Sequence, residues 1–279
     1  MSDVVQLQVA HSSRLHHVDS QLLVVNSDRQ TSFASLSDLA DWLQRGDVFI
    51  VNDAATIPAS LRGTVKETGE IIEVRLAYSV DDVVDQLFKW VAIFYTNGDW
   101  HLPTEKRGFP SLRDGQTIIF GPSFEVVILA APVSRDSLGI IQFSQQGSEF
   151  WRGLYQYGKL IQYSYLQENL ELWDAQTIFS SYPVAVEPPS ASFQFNWDLI
   201  LKIRQKGVKV VTVTHAISIS STGSVTLDKV LPFPERYRIS QDTVNQVLQA
   251  KSSGNRVIAL GTSVTRALES SASSNNGTI

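Results

Sequence analysis

Three stretches of this chain set polar side chains at the ends of apolar runs, the places where a sheet can present them to a ligand. The fullest runs from Val257 to Glu269, VIALGTSVTRALE. Val257 to Leu260 form an unbroken apolar run, the pattern of a parallel strand covered on both faces. Gly261 follows, and without a Cβ it lets the backbone turn and approach a ligand closely. Thr262 and Ser263 are natural N-cap residues, and a helix start leaves N–H groups able to hold an oxyanion. Arg266 and Glu269 fall three apart on one helical face, placed to pair with each other or with a substrate. An ordinary βα corner carrying a surface ion pair fits the same residues.

The second stretch, Asp47 to Asp53, is an apolar strand that delivers Asn52 and Asp53 at its carboxyl end. Polar residues there are either ligand contacts or an Asx turn that stops the strand. The third, Val208 to Thr214, delivers His215. An imidazole so placed accepts a proton near neutral pH, donates to a ligand carboxylate, or serves as a hydrogen-bonded structural residue. Of the five histidines only His215 has this setting, and the adjacent His16 and His17 read as a solvated pair in a polar lead-in.

These groups need elements to position them. Gln21 to Val25 reads as a short strand, and Ser35 caps a helix over Leu36 to Arg45, with Asp38 completing a capping box. From Leu61 to Phe143 the texture changes to short strands at Ile71 to Leu76, Trp90 to Tyr95, Thr117 to Phe120, Phe124 to Pro132 and Gly139 to Phe143, the mark of an antiparallel barrel or sandwich. Asp81 to Asp85 reads as a solvated acidic turn. Helical texture then resumes with Ser148 to Tyr157, Trp197 to Lys206 and a helix capped by Ser240. The expected class is therefore α/β: a discontinuous α/β domain, residues 1–60 and 148–279, with a parallel or mixed sheet, and an inserted antiparallel β-barrel domain, residues 61–147. A right-handed crossover from the Val208 to Thr214 strand, through the helix capped by Ser240, to the Val257 strand puts His215 and Thr262 along one edge of the sheet. Within the second α/β piece, Tyr163, Tyr165, Trp173, Phe179 and Tyr182 lie in the irregular segment Ile161 to Val186, where they either stack on a nucleobase or fill a domain junction.

Composition narrows the chemistry. With 279 residues the chain can bury a substantial core. It has no cysteine, which excludes disulfides, thiolate metal sites and cysteine nucleophiles. No HExxH spacing occurs, and no protein-bound metal is expected. No run approaches the roughly 18–20 apolar residues of a membrane helix, and the start lacks a secretory pattern, so a cytoplasmic, monomeric protein without membrane attachment is expected. The net charge of −5 gives no overall basic field for nucleic acid, although a local basic face can still contact phosphates.

Taken together, three stretches resemble the S-adenosylmethionine:tRNA ribosyltransferase-isomerase family, which makes epoxyqueuosine in tRNA. Gly46 to Gly63, GDVFIVNDAATIPASLRG, is similar to the family's GDLLVLNDTRVIPARLxG. Gly207 to His215 matches the strand leading to its LHVGLGTF loop, and Val257 to Glu269 is like its VIAVGTTSVRTLE. The departures are specific. Ala54 and Ala55 stand where the family has Thr-Arg, Ser60 replaces an arginine, Gln194 replaces the histidine of PTAGLHF, and Ile217 and Ile219 replace glycines after His215. Of the family's HxExYxI segment only Pro234-Glu235-Arg236-Tyr237-Arg238-Ile239 remains.

The resemblance implies a transferase and isomerase that uses S-adenosylmethionine as co-substrate, no metal, and tRNA as acceptor. It implies His215 as the base or ligand-orienting group, and Asn52 and Asp53 as contacts to ribose or nucleobase. Thr262, Arg266 and Glu269 would hold the methionyl or nucleotide end, with Arg62 and Ser190, inside matched motifs, also binding substrate. The alternative is a diverged protein that binds a nucleoside or S-adenosylmethionine and has lost the chemistry.

Overall fold

A computed structural model describes residues 20–81, 88–96, 98–275 and 277. His16, His17 and most of the acidic Asp81 to Asp85 run lie outside the described residues. In chain order the strands and helices are β1 (Gln21–Val25), β2 (Thr31–Ser35), β3 (Val48–Asn52), β4 (Ala54–Thr56), β5 (Ser60–Val65), β6 (Ile71–Ser79), β7 (Lys89–Tyr95), β8 (Thr117–Gly121), β9 (Phe124–Ala130) and β10 (Gly139–Phe143). They continue with α1 (Gly147–Tyr157), β11 (Gly158–Lys159), β12 (Tyr182–Ala185), α2 (Trp197–Gln205), β13 (Lys209–His215), α3 (Val225–Asp228), β14 (Tyr237–Ile239), α4 (Gln241–Ser252), β15 (Val257–Ala259) and α5 (Gly261–Ser274). The described residues form two compact units, one of residues 57–175 and 218–234, the other of 20–56, 176–217 and 235–277.

The first unit is a closed antiparallel barrel. Its strands run in the order β5-β6-β7-β10-β9-β8, and β8 pairs back onto β5 through Thr64 with Ile119 and Val65 with Ile118. Closure leaves no open edge among these six strands. Leu61, Val65, Ile72, Val74, Leu76, Ile118, Val126, Ile128 and Ile141 are all essentially inaccessible. Aromatic rings pack with them: Phe143 lies 5.0 Å from both Phe124 and Phe150, the latter carried by α1. Gly153 lets that helix come so close, since a Cβ there would stand 2.1 Å from the Phe124 ring.

The opposite face of β6 is buried as well. Glu73 and Arg75 alternate with the apolar residues as the period of two requires. They are nonetheless enclosed: Glu73 accepts from Arg75 Nε at 2.5 Å, Arg107 Nη1 at 2.6 Å and Ser60 Oγ at 2.9 Å. Arg107 lies over the Tyr95 ring at 4.7 Å, and the Tyr95 hydroxyl donates to the carbonyl of Thr222. Tyr163 stacks on Tyr165 and covers the Arg75 guanidinium at 5.6 Å.

The second unit is built on a four-stranded sheet in the order β14-β13-β3-β15, with β3 parallel to both β13 and β15. β3 is covered on both faces, as its continuous apolar sequence demands. Phe49 and Val51 pack with Ala40 and Leu43, with Leu199, Ile200 and Ile203 of α2, and with Phe195. Val48 and Ile50 pack with Val213, with Val247 and Ala250 of α4, and with Val264, Ala267 and Leu268 of α5. Each such side chain removed from water stabilises by about 1.5–3 kcal/mol, so β3 is the strongest anchor of this unit.

Three local expectations change. The segment after Ser35 is a 3-10 helix, Leu36–Trp42, with the expected Ser35 and Asp38 capping box. β15 is packed on both faces, Val257 and Ala259 toward α4 and α5 and Ile258 toward the α2 side, but as an edge strand it is half-buried, since no strand pairs on its outer side among the described residues. α5 begins at Gly261 with Leu260 as N-cap, so Thr262 and Ser263 sit inside the first turn and do not cap it.

Candidate functional site

The site is set by three parallel strand ends. β3 lies between β13 and β15, so the ends that carry His215 and Gly261 are separated by one strand, and Asn52 stands at the end of that strand. Asn52 is fully buried and its amide spans the gap. Its Oδ1 accepts from the N–H of His215 at 3.0 Å and of Ala54 at 3.1 Å. Its Nδ2 donates to the His215 carbonyl at 3.1 Å and to Ser263 Oγ at 3.3 Å. A carboxamide has two donors and two acceptor positions. All four are engaged within the protein, and the side chain locks the end of β13 to the first turn of α5.

Asp53 is also buried. Its Oδ1 accepts from Thr214 Oγ1 at 2.6 Å, and its main chain bonds Val213 on one side and Ser181 and Tyr182 on the other. β4 and β12 pair in parallel there, with Ala54 opposite Tyr182 and Ala55 opposite Pro183. The small residues at 54 and 55 thus lie in a strand pairing.

His215 is 2 % exposed. Its Nε2 faces Glu235 Oε2 at 3.4 Å, and the same carboxylate oxygen takes an ion pair from Arg266 Nη1. Its Nδ1 is buried and has no hydrogen-bond partner among the described residues. Burial pushes the imidazole below its ordinary value of 6.5; the Glu235 carboxylate opposes this and the Arg266 guanidinium adds to it. The ring is therefore neutral at pH 7. An unpartnered ring nitrogen in a closed site costs about 1–3 kcal/mol.

The expected residues are distributed as follows. His215, Asn52 and Asp53 come together at adjacent strand ends, and Arg266 joins them through Glu235. Arg266 is thus paired with Glu235, while Glu269 is exposed on the next turn of α5. Thr262 is exposed in the first turn of α5. Ser190 is exposed in the short 3-10 turn Ser190–Ser192, whose Ala191 meets Gly261: a Cβ on that glycine would stand 2.7 Å from the Ala191 Cβ. Arg62 is exposed on β5 of the barrel unit, opposite Glu73. Gln194 accepts from Ser20 Oγ at 2.5 Å, and Ser60 donates to Glu73. Glu235 is the residue that sequence reasoning passed over. Its signal was the glutamate of the HxExYxI segment, two residues before a three-residue strand; the pairing of that strand with β13, Tyr237 opposite His215, is legible only in three dimensions. Among the described residues no three histidine, aspartate or glutamate side chains group to hold a metal ion, and no helix is long and apolar enough to cross a membrane.

A family model described as queuosine biosynthesis protein matches residues 3–278. The chain belongs to that family. An S-adenosylmethionine:tRNA ribosyltransferase-isomerase from Syntrophotalea carbinolica is 31 % identical over 259 residues, 90 % of this chain and 69 % of the relative. One of the same description from Aquifex aeolicus is 29 % identical over 257 residues, 90 % of this chain and 70 % of the relative. Among solved structures, an S-adenosylmethionine tRNA ribosyltransferase from Thermotoga maritima is 20 % identical and covers 95 % of this chain and 69 % of its own, with a TM-score of 0.40. Within this queuosine biosynthesis family member, the buried cluster at the strand ends lies in the stretches on which the family resemblance rests.

Proposed function

We propose that this chain is an S-adenosylmethionine:tRNA ribosyltransferase-isomerase, which moves and isomerises the ribosyl moiety of S-adenosylmethionine onto 7-aminomethyl-7-deazaguanine in tRNA to give epoxyqueuosine. The family match over nearly the whole chain, together with curated relatives of that one description, carries the reading. The geometry of the strand ends supports it, because the reaction asks for a neutral base held in fixed orientation.

In this reading the sulfonium of S-adenosylmethionine acidifies the C5′ protons. His215 takes one of them, the C–H electron pair staying on C5′ beside the positive sulfur. Adenine and methionine then leave, each with the electron pair of its bond to the ribosyl unit; one C–N bond forms as the aminomethyl nitrogen gives up a proton, the C5′ pair closes the carbon ring, and of the two protons released one goes to adenine. Much of the acceleration is proximity: the ribose must be held against the amine. Asp53 meets polar atoms of the ribose or nucleobase, and Asn52 acts by fixing His215. Thr262, Arg266 and Glu269 line the end of the site that takes the methionyl or nucleotide part, and Ser190 contributes a further substrate contact. The protein works as a cytoplasmic monomer and uses no metal.

The test is adenine release from S-adenosylmethionine in the presence of tRNA bearing 7-aminomethyl-7-deazaguanine, with the tRNA product weighed by mass spectrometry. Appearance of epoxyqueuosine is expected. Tight binding of S-adenosylmethionine with no adenine released and no change in tRNA mass would favour a binding protein that has lost the chemistry.

A further inference from the structure

The ring of His215 has two nitrogens in different surroundings, and the reaction can use only one of them. Nε2 faces the Glu235 carboxylate at 3.4 Å, while Nδ1 is closed off without a partner. A neutral imidazole carries one N–H and one lone pair. With the lone pair on Nε2, two acceptors would face each other in a buried site, and the N–H on Nδ1 would be left without an acceptor. With the proton on Nε2, the carboxylate has its donor and the lone pair falls on Nδ1.

We infer that Glu235 is the positioning residue of this site: it holds the His215 proton on Nε2 and so leaves the lone pair of the ring on Nδ1. Arg266 holds Glu235 in turn, since its guanidinium meets the same carboxylate oxygen. The three side chains come from separate elements, β13, the approach to β14 and α5, so the order Arg266 to Glu235 to His215 is a tertiary arrangement. A carboxylate behind an imidazole fixes tautomer and ring orientation and steadies the imidazolium formed on proton transfer. The charged groups acting on the ring are Glu235 and Arg266, with opposite effects on its proton affinity.

The assignment rests on the transferase reading for its catalytic part only; the tautomer is measurable without turnover. Full-length protein labelled with 15N in its histidines would be compared by long-range 15N–1H correlation with His215→Asn, whose lost signals identify the His215 ring. The expected spectrum has a protonated Nε2 and a bare Nδ1. A protonated Nδ1, or averaged ring signals, in the wild type would overturn the inference. In Glu235→Ala the ring signals should move toward averaging, and kcat should fall by about tenfold or more with a smaller change in KM, as expected for a group that acts through the base. Glu235→Gln, whose amide oxygen can still accept from Nε2, should restore the wild-type tautomer. Ring signals and kcat both unaffected by Glu235→Ala would also overturn it. If Glu235→Ala does not fold, the wild-type ring nitrogens decide alone. A wild type that shows the expected tautomer but no turnover would remove the proposed reaction and leave the positioning role of Glu235 standing.

Discussion

Asn52 grips His215 by its main chain: the amide accepts the His215 N–H at 3.0 Å and donates to the His215 carbonyl at 3.1 Å. The pair joins the ends of β3 and β13, and the same amide reaches Ser263 in α5. Replacing it leaves several buried main-chain groups without partners, each costing about 1–3 kcal/mol. Asn52→Ala should therefore destabilise by about 2–4 kcal/mol, visible as a lower urea midpoint with unchanged slope. Asn52→Asp keeps the two acceptor contacts, loses both donors, and should fall between. An Asn52→Ala protein as stable as the wild type, but with a raised KM, would show that the amide serves the ligand and not the fold.

His215→Ala removes the base. If proton removal from S-adenosylmethionine depends on it, adenine release should fall by about 10²–10⁴-fold. Binding of S-adenosylmethionine, followed by calorimetry, should change far less. Equal rates of adenine release for the two proteins would take His215 out of the chemistry.

The pH dependence follows from the same ring. Its value in the folded protein is held below 6.5, mainly by burial, so the neutral form persists to lower pH than in a free histidine. The acid limb of kcat/KM should accordingly lie below 6.5. The stability sign is the same: below 6.5 the unfolded chain takes up a proton that the folded one resists, so this contribution is complete above 6.5 and is lost as pH falls toward the folded value. In Glu235→Ala the loss of the nearby anion should move the acid limb lower still. A limb above 6.5 in the wild type would contradict a neutral, buried ring.

The barrel carries its own buried charge. Burial pushes the Glu73 carboxyl up, but the Arg75 and Arg107 guanidiniums outweigh it and hold it below the ordinary carboxylate range. Removing one partner of such a buried set leaves uncompensated charge and costs about 3–5 kcal/mol. Glu73→Gln, which strands two guanidiniums, should be the most damaging, and a drop in thermal midpoint is the measurement. Because the carboxyl value is lowered on folding, this contribution is present above the unfolded value of about 4.5 and lost as pH falls below it.

How much of this was legible beforehand depended on the range of the interactions. β3, β13 and the run into α5 could be read because an apolar run between polar stops is a local pattern. The barrel strands were legible for the same reason, although closure through β5 and β8 was not, since Ser60–Val65 carries too few apolar residues to read as a strand. The alternation that exposes one face of a typical antiparallel strand did not reveal that Glu73 and Arg75 are enclosed, because the enclosure comes from Arg107, Tyr95 and Tyr163, far away in sequence. At the site, His215, Asn52 and Asp53 announced themselves as strand-end polar residues. Glu235 did not, because β14 is only three residues long and its pairing with β13 sets the carboxylate beside the imidazole. The choice of Arg266 partner was hidden likewise: helical spacing offers Glu269, whereas the fold supplies Glu235.

Gly261 offers the sharpest test of the strand-end geometry. Its φ of +84° is one that residues with a Cβ rarely adopt, and a Cβ placed there would meet the Cβ of Ala191 at 2.7 Å. Both effects act on the first residue of α5 and on the short turn that bears Ser190. Gly261→Ala should cost about 1–3 kcal/mol from backbone strain alone and push the turn away from the helix start. The Ala191→Gly partner change relieves the contact but not the strained φ. The double variant should therefore recover part of the lost stability, and a double-mutant cycle would separate the two terms. If Gly261→Ala keeps wild-type stability and S-adenosylmethionine binding, the close approach of α5 to the Ser190 turn has no role in shaping the site.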